Sequence, residues 1–203
     1  MPGPGDAPPT VPALVLAAGG GRRLGGRPKA LLGLHGRPLV EHAVRVVREG
    51  GCAPVLVVLG AARDQVAATA DLTGCTVVAN PDWAAGLGGS LRAGLAALPS
   101  GSPAVLVTLV DTPGVTPAAV ARLLAAHRDG AQLAAAGYAG RRGHPVLIGA
   151  RHFAEAAAGA TGDAGARALL TAHRAELRLV ECGDVAVPDD LDTPGDLARW
   201  GVG

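Results

Sequence analysis

Lysine is nearly absent from this chain: of its 18 basic residues 17 are arginine and one is Lys29, and Asn80 is its sole asparagine. A bias that exchanges these residue types wherever they are interchangeable leaves them where a compact ammonium or a carboxamide is required, since arginine's planar fork does not replace a point charge. Aromatic residues make up 2% and the net charge is +1. There is thus neither the stacking platform nor the broad basic surface of a general nucleic-acid binder. The three cysteines, Cys52, Cys75 and Cys182, are odd in number and widely spaced. That fits neither a disulfide framework nor a C-x-x-C metal site, and a reducing cytoplasm is the expected setting. Long hydrophobic runs are missing too. Met1 to Thr10 holds no Lys or Arg, and the apolar stretch after it is broken by glycine and arginine too soon for a secretory or membrane segment. Neither nucleic acid nor membrane is an expected partner.

What is abundant is aliphatic: 49% of the 203 residues are hydrophobic, enough for one sizeable α/β domain. Residues 1–10, rich in proline and glycine, are expected to form a disordered tail, and 11–203 the domain. Leu14-Val15-Leu16-Ala17 predicts a buried strand that empties into a loop with five glycines, three arginines and Lys29 between Gly19 and Lys29. Glycines let backbone N–H groups turn toward an anion and approach it closely, while fixed cations neutralise charge the amides alone could not hold.

Beyond that loop the periodicity predicts a helix over 39–48, a strand over 54–60, a helix over 61–71, a strand over 75–79, a helix over 91–98 and a strand over 104–110. This βαβα rhythm indicates a mostly parallel sheet. Thr116-Pro117 opens a further helix with a capping residue and a first-turn proline. Then the pattern changes: strands over 132–138 and 145–148 flank a turn at Gly140-Arg141-Arg142-Gly143 and suggest an antiparallel pair at the sheet edge. Helices over 153–158, 164–173 and 194–200 and a strand over 177–182 complete the chain.

Two common glycine signatures fail. A dinucleotide fingerprint needs glycine where Leu24 stands and an acidic residue after the second strand; a P-loop lysine follows glycine and precedes Ser or Thr, whereas Lys29 lies between Pro28 and Ala30. The second candidate centre is Asp111, directly off a buried strand, in Leu109-Val110-Asp111-Thr112-Pro113. The carboxyl ends of strands form the ligand crevice of an open α/β sheet, so Asp111 is placed on the same side as the glycine loop, as a ligand for a hard cation or as a helix cap.

The pattern L-A-A-G-x-x-x-R-x-G followed by P-K-x-L resembles that of the nucleotidyltransferases of the molybdenum-cofactor type, closest to the molybdenum cofactor cytidylyltransferases. Asn80-Pro81-Asp82-Trp83 through Ser90-Leu91 to Gly94, Gly143-His144-Pro145, Gly162-Asp163-Ala164-Gly165-Ala166-Arg167 and Asp190-Leu191-Asp192-Thr193-Pro194 extend the likeness to most of the chain. Gly21 stands where serine is common and Leu24 where methionine is. The resemblance implies a Rossmann-like three-layer α/β/α fold of the nucleotide-diphospho-sugar transferase type, with a nucleotide-binding half over 11–111 and an acceptor and metal half over 112–203. It implies a nucleoside triphosphate wrapped by Leu16, Ala17, Ala18, Gly19, Gly20 and Gly21, with Asn80, Gly86 and Ser90 nearby and Arg23 and Lys29 on the phosphates. It makes Asp111 and Asp192 ligands of Mg²⁺, with Asp190 the alternative to Asp192, and puts His144, Asp163 and Arg167 on the acceptor. Ala17-Ala18-Gly19 favours CTP.

The implied reaction is transfer of CMP to a molybdopterin-type phosphate with release of pyrophosphate, its product passed to a molybdenum enzyme. A sugar, polyol or phospho-acid acceptor would keep the chemistry, and a non-catalytic cofactor chaperone would keep only the binding. A nicotinamide oxidoreductase, the remaining reading, would bind NAD(P) and need no metal.

Overall fold

The computed structural model describes residues 10–202. Of the tail expected over 1–10 all but Thr10 lies outside the described residues. In chain order the elements are β1 (Ala13–Ala17), β2 (Gly33–Leu34), β3 (Arg37–Pro38), α1 (Leu39–Glu49), β4 (Val55–Leu59), α2 (Arg63–Thr69), β5 (Cys75–Ala79), α3 (Leu87–Ala96), β6 (Ala104–Leu109) and α4 (Pro117–Arg128). There follow β7 (Leu133–Tyr138), β8 (Arg141–Gly149), α5 (Phe153–Gly159), α6 (Arg167–Ala172), β9 (Arg178–Glu181) and α7 (Pro194–Trp200).

Seven strands form one sheet in the order β5-β4-β1-β6-β8-β7-β9, and β2 pairs with β3 beside it. β5, β4, β1 and β6 run parallel, β8 is antiparallel to both β6 and β7, and β9 is parallel to β7. The antiparallel element is therefore β8, held between β6 and β7, while β9 supplies the edge. The sheet is covered on both faces, which is why its central strands read as unbroken aliphatic runs. Ala13, Val15 and Ala17 point into one core with α1 and α4; Leu14 and Leu16 point into the other with α3, α5 and α6. The result is the three-layer arrangement that the family resemblance implied.

Four boundaries differ from the periodicity, each for a local reason. α2 starts at Arg63, because Ala62 is left-handed at φ 51° and caps it. α3 starts at Leu87, a turn earlier than expected. Gly88 allows this: a Cβ there would lie 2.6 Å from the Ala160 backbone. α6 starts at Arg167, because Gly165 at φ 51° interrupts the chain before it. The β7–β8 turn is tighter than expected. Ala139 and Gly140 both have positive φ, the signature of a two-residue hairpin, so Arg141–Gly143 belong to β8.

β8 also carries a bulge. Ala135 pairs with Val146 and Ala136 with Gly143, leaving His144 and Pro145 extra. Pro145 has no N–H to give to a ladder, and a bulge re-aims the neighbouring side chain. Here that side chain is His144.

Candidate functional site

The glycine loop leaves β1 at its carboxyl end and folds into two single-turn 3-10 helices, Arg22–Leu24 and Lys29–Leu31. Gly21 is the pivot. At φ 61° its missing Cβ would sit 1.9 Å from the Arg27 carbonyl oxygen, so the loop closes on itself only with glycine there. Trp83 forms a wall behind it: a Cβ on Gly20 or Gly60 would collide with the indole.

Asp111 comes off β6, the neighbour of β1, so both carboxyl ends open on one crevice. No helix starts at Asp111; Thr116 caps α4. The third contributor arrives from far along the chain. Leu191 N–H donates to the Asp111 carbonyl at 2.9 Å and fastens the 189–192 segment across the strand end. Thr193 and Asp196 then form a capping box that starts α7 at Pro194. Because Thr193 is the cap, the Asp192 carboxylate is left to the crevice.

These three meet at Lys29. Its Nζ lies 2.5 Å from Asp111 Oδ2 and 2.6 Å from Asp192 Oδ1, and Arg23 reaches Asp192 at 3.2 Å. The side chains of Lys29 and Asp111 are 14% and 18% exposed, that of Asp192 43%. Burial pulls the Lys29 pKa down, but the attraction of Asp111 and Asp192 outweighs it and holds the ammonium above its usual range. Asp190 is pushed up to about 6, by burial first and then by the charges of Asp111 and Asp192.

Two adjoining cavities open here. One of 540 Å³ is lined by Leu16, Ala18 and Gly19–Gly21 with Arg23, Lys29, Gly86, Ser90, Asp111 and Asp192. The other, of 840 Å³, is lined by His144, Arg167 and apolar side chains from Leu16, Val107 and Val146. Asp163 and Asp190 line both and mark the border. Of the expected nucleotide contacts two are elsewhere. Ala17 packs in the sheet core, as strand alternation requires. Asn80 sits behind the wall: its amide donates to Ser90 Oγ at 3.0 Å and its carbonyl accepts from Asp82 N–H at 3.1 Å. Ser90 is therefore buried in the first turn of α3, held by Asn80, and does not cap the helix.

On the larger cavity, the Tyr138 hydroxyl donates to the His144 carbonyl at 2.7 Å and fixes the bulge. The His144 Nδ1 is buried without a hydrogen-bond partner among the described residues, and burial holds its pKa below the ordinary value. Arg141 and Arg142, which the sequence marked only as turn residues, also line this cavity. Their place beside Gly-His-Pro was the available signal.

Asp111 and Asp192 present hard oxygen donors converging on one cationic point, with Asp190 alongside. That donor set fits a divalent ion such as Mg²⁺ or Mn²⁺. Among the described residues no helix is long and apolar enough to cross a membrane.

Residues 13–177 match the family described as the MobA-like NTP transferase domain. Nicotine blue oxidoreductase of Paenarthrobacter nicotinovorans is 41% identical over 198 residues, covering 94% of this chain and 96% of the relative. Among solved structures, the Rv0371c homologue from Mycobacterium sp. strain JC1 is similar with a TM-score of 0.82 at 34% identity, covering 93% of each chain. Rv0371c of Mycobacterium tuberculosis H37Rv in complex with manganese gives a TM-score of 0.79 at 30% identity, covering 94% of this chain and 97% of that one.

Proposed function

The chain belongs to the MobA-like NTP transferase family, and from that premise we propose that it transfers CMP from CTP to the phosphate of a molybdopterin-type acceptor. The observation that carries this reading is the Lys29 ammonium held between Asp111 and Asp192 at the mouth of the glycine loop. The smaller cavity receives the triphosphate, with the loop amides and Arg23 on its oxygens; Lys29 exchanges carboxylate partners for phosphate oxygens as the nucleotide enters.

An oxygen of the acceptor phosphate attacks the α-phosphorus, the bond to the bridging oxygen breaks, and pyrophosphate leaves. The attacking phosphate is already ionised, so no protein nucleophile is needed, and catalysis rests on alignment and charge neutralisation. Asp111 and Asp192 would hold the divalent ion, which supplies charge neutralisation on the transferring and leaving oxygens when bound. In the larger cavity, the orphaned His144 Nδ1 gains a partner from the acceptor and Arg167 meets its anionic end.

A second reading is favoured by one observation: the 41% identical relative is named an oxidoreductase. On that reading the same pair of cavities takes a reduced dinucleotide and a flat heteroaromatic acceptor against the apolar wall. A single matrix separates the two. Nucleoside triphosphates with Mg²⁺ or Mn²⁺ are assayed against phosphorylated acceptors, molybdopterin included, for pyrophosphate release, and NADPH is assayed against quinone-like heterocycles for its oxidation. Pyrophosphate release with CTP, lost in Asp111→Ala and in chelator, is expected. NADPH oxidation with no metal requirement and no pyrophosphate release would overturn the transferase reading. Pterin binding with neither reaction would indicate the non-catalytic chaperone.

A further inference from the structure

One short pattern occurs twice outside the cavities: His152-Phe153-Ala154-Glu155 at the start of α5 and His173-Arg174-Ala175-Glu176 just after α6. Within each copy the His and Glu are three residues apart, which on a helical turn puts both side chains on one face. The fold brings the two copies together. The imidazole centroids are 4.8 Å apart, edge to face. His173 Nε2 lies 2.9 Å from both carboxylate oxygens of Glu155, and its Nδ1 lies 3.3 Å from Glu176 Oε1. His152 Nδ1 lies 3.9 Å from Glu155 Oε2. One ligand atom each from His152, Glu155 and His173 all fall within 4.8 Å of one another.

We propose that His152, Glu155 and His173 form a second cation site, separate from the cavity carboxylates, which takes one zinc-like divalent ion with water in its fourth position and fastens α5 to the end of α6, while Glu176 holds the far imidazole nitrogen of His173. Imidazole nitrogens mixed with carboxylate oxygens are the donor set of zinc rather than magnesium. A tetrahedral ion bound at about 2.0–2.2 Å sets its donors roughly 3.3–3.6 Å apart. The separations of Glu155 from His173 Nε2 and from His152 Nδ1, 2.9 and 3.9 Å, bracket that range, so rotamer adjustment suffices.

The layers also differ as a zinc site requires. His152 is buried, His173 is 24% exposed, and the two glutamates are half exposed, so an ion has anchored imidazoles and an open approach. Arg151 is the competitor: it donates to His152 Nε2 at 3.1 Å and to Glu176 at 2.6 Å, but its side chain is 57% exposed and free to swing into solvent. The consequence reaches the larger cavity, because α6 begins at Arg167, which lines it.

The test uses the full chain carrying Asp111→Asn and Asp192→Asn, so that the cavity carboxylates do not bind the probe. Equilibrium dialysis against Zn²⁺ is expected to retain one equivalent per chain, and Co²⁺ to give X-ray absorption with imidazole scattering. His152→Gln and His173→Gln should each weaken retention by at least about 10-fold, the lower bound for perturbing even the outer shell of a metal site. Arg151→Gln should strengthen it. Glu155→Gln, a near-isosteric change at a half-exposed position, should weaken it as well and keeps the test available if a histidine variant unfolds. No retained equivalent, or retention that neither Glu155→Gln nor the histidine variants reduce, would overturn the site and leave an ion-pair network centred on Arg151.

Discussion

Replacing Lys29 with methionine keeps the apolar stem and deletes the charge, so its effect isolates the electrostatics of the crevice. The Nζ contacts at 2.5 and 2.6 Å each carry about 6 kcal/mol of gross attraction at an effective dielectric of about 20. Most of that is offset by desolvation. Removing one partner of a fully buried pair costs about 3–5 kcal/mol. Asp192 is 43% exposed and so is partly screened, which lowers the expectation here to about 2–3 kcal/mol. For a domain of this size that is a fall of roughly 5–10 °C in Tm.

The pH dependence is the sharper readout. The raised pKa of Lys29 means that its contribution in the wild-type protein is fully present below its unfolded value of 10.5 and is lost only as pH rises through the still higher folded value. In the variant the Lys29 charge that opposes the rise at Asp190 is gone, so its folded pKa rises further and stability is lost as it ionises beside Asp111 and Asp192. Asp190 sits at about 6 even with the lysine present. The gap between Lys29→Met and wild type should therefore close as pH falls through 6 toward about 4, and Mg²⁺ or Mn²⁺ should close it at neutral pH. Thermal melts in chelator across that range would refute the reasoning if the gap stayed constant.

Gly21→Ser, the residue common at this position in the resembling family, should cost at least about 1–2 kcal/mol, from left-handed backbone strain before the clash with Arg27 is counted. It should also raise KM for the nucleotide; an unchanged melt and KM would show that the loop does not close on Gly21. Thr193→Ala removes the cap of α7 and should cost about 1 kcal/mol by denaturant titration. Because Asp192 is oriented through the same box, divalent-ion affinity should fall in parallel, and an intact affinity would separate the cap from the site. In chelator, Asp192→Asn should bind CTP more tightly than wild type in calorimetry, since it removes a charge facing the triphosphate, and the order should reverse with Mg²⁺ present.

The sheet was legible because its central strands are covered on both faces, and such burial writes itself as unbroken aliphatic runs in β1 and β4 and as a run broken only by Thr108 in β6. Asp111 was legible for a related reason: a carboxylate at the end of such a run has only the crevice to face. The α3 start was not legible. Gly86, Gly88 and Gly89 carry no helical signal, yet Gly88 lies inside α3, where its missing side chain lets the helix pack against the Ala160 backbone, a contact across 72 positions that no local pattern contains. Asn80 stood out in the sequence as the sole carboxamide of its kind, and in the structure that carboxamide links Ser90 to the Asp82 backbone, a buried connection no local pattern contains. The bulge that turns His144 was signalled by Pro145, which cannot pair in a ladder, yet its direction depends on β7 alongside.

Lys29 is the residue whose meaning changes most between sequence and structure. As a lone lysine in a glycine loop it reads as a phosphate contact, and a site holding only loop amides, Arg23 and Lys29 would attract a triphosphate by itself. The fold instead sets four carboxylates, Asp111, Asp163, Asp190 and Asp192, around the three cations Arg22, Arg23 and Lys29, so the crevice with all four ionised is net negative. A triphosphate brought to that crevice alone meets repulsion that the three cations do not cancel. On the proposed function, the charges come into balance when the carboxylates receive a divalent ion and the lysine passes to the phosphates. On the same proposal, Lys29 offsets part of the carboxylate charge in the free protein, and the divalent ion takes over that role when bound.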